Sequence, residues 1–150
     1  MNILWQLFLI ILISTSAYAE NDQIANEIVD NISHEFVDCA CYFSIVAQGI
    51  RNSGDKTLAA KYDEASDTAM KYAVIAAEKS RITEMAQKVT LARFELGLKS
   101  MIKEIENDVS NLSILTNKYA FPCKTAIETP EAMMKEWENK VIDKHYKTKK

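Results

Sequence analysis

Punctuation is scarce in this chain. Only three glycines and two prolines interrupt its 150 residues, and no five-residue stretch between the loops they mark alternates in the manner of a strand. Gly49 precedes RNSGD and Gly54 lies within it, while Pro122 and Pro130 flank CKTAIET, which marks two loops. Histidine is just as rare, with His34 and His145 alone. Neither follows a Glu by three positions, which excludes the carboxylate bundles that hold two irons. C-x-x-C-H, H-E-x-x-H, G-x-S-x-G and a Gly-rich phosphate loop are all missing. No catalytic residue, cofactor or dedicated metal site is therefore nominated. The net charge of -3 argues against a nucleic-acid binder, and the basic end, HYKTKK, reads as a solubilising tail.

What is present begins with MNILWQLFLIILISTSAYAE. An apolar run from Ile3 to Ile13 leads into small polar residues and the Ala17-Tyr18-Ala19 pattern, a secretory signal peptide by its proportions. The run is about half of the roughly 20 residues that a membrane span needs. The expectation is cleavage after Ala19, no stable membrane insertion afterwards, and a mature domain covering residues 20–150 in the periplasm or secreted space. That compartment favours paired cysteines.

Between the loops the apolar spacing is helical throughout. Val29, Ile32, Phe36, Cys39, Phe43, Val46 and Ile50 follow a 3-4 alternation, which predicts a helix over about 22–50. A second helix over about 56–78 carries Leu58, Tyr62, Ala65, Ala69, Tyr72 and Ala76 on its seam. Ser80 or Thr83 would cap a third, with Glu84 suited to its dipole. That third helix is predicted to run unbroken over about 84–119, with Leu91, Phe94, Leu98, Met101, Ile105, Val109, Leu112, Leu115 and Tyr119 on one face. Thr129-Pro130-Glu131 opens a fourth, with Met133, Trp137 and Val141 buried. The expected fold is all-α: an up-down-up-down antiparallel four-helix bundle with one long third helix, pinned by a disulfide.

The three cysteines sort by geometry. Cys39 and Cys41 stand about 200° apart around a helix, so they bond neither each other nor one metal ion with ease. Cys123, after Pro122, is predicted to pair with Cys39 and leave Cys41 as the odd thiol: capped, intermolecular in a homodimer, or packed as a small hydrophobe. A Cu(I) site built from all three sulfurs is the minor alternative.

Three further sets of residues are candidates. Asp30, His34 and Asp38 share one helical side, where a solvated polar face is favoured over a metal or pH-sensing site. Asn107, Ser110, Ser113 and Asn117 recur at three- and four-residue spacing, an uncharged stripe suited to a partner surface. Tyr119, Phe121 and Trp137 gather near the last loop and define a candidate pocket for an apolar ligand. Together these predict an exported, non-catalytic binding protein that engages another protein in an inhibitory, protective or chaperone-like role. The alternative is a carrier of a small apolar ligand or Cu(I) in the bundle interior.

Overall fold

The computed structural model describes residues 3–147, with side chains described over 21–147. It contains five α-helices: α1 (Ile3–Asn52), α2 (Lys56–Ala77), α3 (Thr83–Glu104), α4 (Leu112–Glu128) and α5 (Pro130–Lys147). A single 3-10 turn, Val109–Asn111, precedes α4, and the described residues hold no strand. The all-α class is as expected. The leader's side chains, the cleavage expected after Ala19, and residues 148–150 of the basic tail lie outside the described residues. Among those described, no helix is long and apolar enough to cross a membrane.

The stretch FVDCACYFSIVA decides the architecture. From Phe36 to Ala47 every side chain except Asp38 and Ser44 is buried. A helix that is apolar all round must be covered all round, so α1 becomes the central element. Helix α2 returns along one side of it. The hairpin turns at Gly54, whose φ of +98° suits a residue without a side chain, and Asp55 caps α2 by accepting from the Leu58 amide at 2.9 Å. The buried face of α2 is small: Ala59, Ser66, Ala69, Ala73 and Ala77. Close approach lets Ser66 donate to the Ala40 carbonyl at 2.9 Å and Ser33 to the Ala73 carbonyl at 3.0 Å.

Helix α3 starts at Thr83 after Ile82, an extended residue that offers no side-chain cap; the expected capping by Ser80 or Thr83 is not made. It runs parallel to α1, placing Arg93 beside Asp30 and Gly97 beside Cys41. The predicted long third helix ends at Glu104 instead of continuing to Tyr119. The Asn107 amide donates to the Ile102 carbonyl and the Glu106 amide to the Lys103 carbonyl, both at 2.9 Å. That is a Schellman closure, here built without glycine, with Glu106 and Asn107 at φ values of +56° and +59°. Asp108 then accepts from the Ser110 amide at 2.9 Å and turns the chain back.

Helix α4 therefore descends antiparallel to α3, and Lys118 reaches Glu104 at 3.0 Å. It passes through Pro122, which was expected to lie in a loop. Proline removes a helical hydrogen bond to the carbonyl four residues back; Lys118 and Pro122 both face solvent, where water can satisfy that group. Helix α5 opens on Pro130 and Glu131 as expected and continues down α1, with Lys144 and His145 both meeting Glu27, at 2.6 and 2.9 Å.

Candidate binding surfaces

Cys39 and Cys123 are joined in a disulfide across a sequence separation of 84 residues. The expected pairing holds, by a different route: Cys123 comes from the interior of α4 on its way down α1, not from a loop after a long third helix. Cys41 is free, yet fully buried. Its Sγ–H donates to the Phe94 carbonyl at 3.3 Å. Gly97 makes room for it, since a Cβ at that position would stand 2.7 Å from the sulfur. Burial, with the Asp38 carboxylate adding to it, pushes the thiol up to about 12. Capping or an intermolecular bond at Cys41 therefore gives way to the small-hydrophobe role. With Cys39 and Cys123 joined, the three sulfurs do not stand together as thiolates for Cu(I). Among the described residues no three His, Cys, Asp or Glu side chains gather to hold a metal ion.

Asp30, His34 and Asp38 do not act together. Asp30 turns to α3 and accepts from Arg93 at 2.9 Å and Arg81 at 2.6 Å. Burial alone would raise its carboxyl, but the two guanidiniums outweigh burial and hold it below its usual range. His34 is exposed and stands 3.9 Å from Asp38. Asp38 is pushed up by burial, against the pull of His34 and Lys118. Both line a cleft of about 340 Å³ with Arg93, Leu96, Gly97 and Tyr119. The Cys41 thiol lies behind Gly97, hydrogen-bonded to backbone, so His34 and Cys41 form no nucleophile–base pair.

The uncharged stripe is broken by the fold. Asn107 sits in the left-handed turn and Ser110 in the 3-10 turn, while Ser113 and Asn117 stand on α4; all four are exposed. They are not one helical face. The aromatic set also divides. Tyr119 stacks on Tyr42 with centroids 6.0 Å apart. Phe121 and Trp137 line a separate cleft of about 300 Å³ with Glu35, Pro122, Met133 and Lys140. There burial, then repulsion from Asp38, raises the Glu35 carboxyl. The three-residue pocket is therefore not formed, and Phe121 is 81 % exposed.

Two apolar surfaces were missed. On α3 the expected seam is only part of the buried face: Leu91 is exposed, and Ala86, Thr90 and Met101 are buried. Beside it runs a second seam, Ile82, Met85, Val89, Ala92 and Leu96, again spaced 3-4-3-4. Ile82, Met85 and Leu96 are 75, 50 and 66 % exposed. That spacing is legible in the sequence, but which seam faces inward is not. The other surface is a groove of about 410 Å³ between α1, α2 and α4, floored by Tyr42, Phe43 and Tyr62. No family model matches the chain, and no curated protein or solved structure is similar to it.

Proposed function

We propose that this chain is an exported, disulfide-pinned binding protein that engages another protein and carries out no catalysis. In this reading residues 20–150 form a single mature domain in the periplasm or secreted space. Helices α4 and α5 together serve as the fourth member of an up-down-up-down bundle. The observation that carries the proposal is the uncovered seam of α3. Contiguous apolar residues outside a folded domain mark contact surfaces, and 3-4 spacing fits an amphipathic helix laid alongside. Lys99 and Lys103 extend the same side and form no ion pair among the described residues, so a partner helix with acidic residues at that end is the best complement.

The test compares three forms of the exported protein in crosslinking and titration against the partner recovered from its own host. Ile82→Lys with Leu96→Lys should abolish saturable 1:1 binding, while Asn107→Lys with Ser110→Lys and Asn117→Lys should leave it intact. Unchanged binding in the seam variant would end this reading. Sedimentation settles the remaining occupant: a wild-type dimer that the seam variant reduces to monomer would make the partner a second copy. A second reading, a carrier of an apolar ligand, is favoured by the groove between α1, α2 and α4.

A further inference from the structure

The groove between α1, α2 and α4 has a chemistry that narrows what it takes. Its floor is the Tyr42 and Phe43 rings of α1, both buried, with centroids 5.4 Å apart. Tyr62 of α2 packs on Phe43 at 6.1 Å and forms the near wall. Leu58 and Ala65 extend that wall, and Ala120 and Ile127 of α4 form the opposite one. The volume of about 410 Å³ falls within the range of small-molecule sites. Two lysines stand at the rim, Lys61 on α2 and Lys124 on α4. Lys124 has only a loose, solvent-exposed pairing with Glu128 at 3.9 Å, and Lys61 makes no ion pair among the described residues.

A second groove of similar size, about 400 Å³, lies between α1 and α5 and serves as a built-in comparison. It is lined by Ala25, Ile28, Val29, Ile32 and Met134, with no aromatic ring. Its rim carries Glu131 and Glu138 against the single Lys135. The two grooves are thus alike in volume and opposite in rim charge: two lysines to one glutamate in the first, two glutamates to one lysine in the second.

We infer that the α1/α2/α4 groove binds a single-chain amphiphile with an anionic head, its chain along Tyr42, Phe43 and Tyr62 and its head between Lys61 and Lys124. The apolar walls bury the chain, and the lysines supply flexible point charges that follow a head group. Glu128 opposes the head, so it tunes affinity downward. This inference deepens the carrier reading and is independent of the α3 seam.

The experiment titrates the full mature chain with laurate and dodecyltrimethylammonium, each below its micellar concentration, and with dodecanol below its solubility limit. Binding is read by calorimetry and by methyl shifts of Leu58, Ala65, Ala120 and Ile127. Laurate should bind saturably and move those methyls, with Ile28, Ile32 and Met134 still. Lys61→Glu should weaken laurate roughly fivefold, the scale of one exposed ion pair, and leave dodecanol unchanged; Glu128→Gln should tighten laurate. Ala65→Trp, which fills the groove, should abolish binding, and the methyl map locates the ligand even if that variant misfolds. No saturable binding, shifts confined to the α1/α5 groove, or equal affinity for all three heads would each overturn the assignment. Loss of laurate binding in the Ile82→Lys, Leu96→Lys variant would also overturn it, because the two sites share no residue.

Discussion

Replacing Gly97 by alanine tests how closely α3 approaches α1. On an open helix surface the change stabilises by about 0.8–1.0 kcal/mol, because alanine loses less backbone freedom on folding. Here the new Cβ would stand 2.7 Å from the Cys41 sulfur. The sulfur has little room to yield. It sits on a one-torsion side chain, is fully buried, and is held to the Phe94 carbonyl at 3.3 Å. Overpacking of this kind costs roughly 1–3 kcal/mol. Set against the gain from propensity, Gly97→Ala should destabilise by about 1 kcal/mol, read as a lower urea midpoint at unchanged slope. The sharper measurement is a double-mutant cycle. In a Cys41→Ala background the obstruction is gone, and Gly97→Ala should become stabilising by up to about 1 kcal/mol. Equal effects in the two backgrounds, within about 0.5 kcal/mol, would refute close packing of α3 on α1 at this point.

Removing the disulfide by Cys39→Ser with Cys123→Ser should cost roughly 4.5 kcal/mol, the loop-closure value for an 84-residue separation; urea unfolding of the two forms measures it. A loss under about 1 kcal/mol would show that the unfolded chain is already constrained. Cys41, buried and raised to about 12, should take up no alkylating label at pH 8 in the native protein and one label in denaturant. Intact-mass spectrometry reads the difference, and rapid native labelling would contradict its burial. Glu35→Gln should stabilise at neutral pH. The folded state holds that carboxyl above its usual range, through burial and then Asp38, so ionised Glu35 opposes folding above its folded value. The advantage should shrink as pH falls and vanish once Glu35 is protonated in both states, below about pH 4. An advantage that persists undiminished at pH 3 would assign it to packing.

Much of the outline was readable from residue spacing because helical periodicity is a local property. The helix boundaries near Asn52, Lys56 and Pro130 fall where the RNSGD loop and Thr129-Pro130 place them. The reversal at Glu106 and Asn107 was not readable. Its Schellman closure uses two residues in the left-handed region without the glycine that normally announces one. Pro122 misled in the opposite sense, since it sits inside α4 on a solvent-facing side that tolerates a missing hydrogen bond. These two errors displaced the candidate surfaces. Asn107 and Ser110 left the helical stripe, and Tyr119 was separated from Phe121 and Trp137.

By itself the sequence determined the all-helical class and the hairpin at Gly54, because each depends on spacing along the chain and on which residue types tolerate a given backbone. The pairing of Cys39 with Cys123 was expected from a handover loop that does not form, and the packing of α4 on α1 is what brings the two sulfurs together. Tertiary structure alone decided that α1 is central. Only when α2, α3 and α4 close around it do both Cys39 and Cys41, on opposite sides of one helix, lose all contact with solvent. It also decided which apolar seam of α3 turns outward, because Ala86, Thr90 and Gly97 allow a close approach that the larger Ile82, Met85 and Leu96 would prevent. Periodicity gives a helix its faces; packing chooses among them by how near two backbones can come.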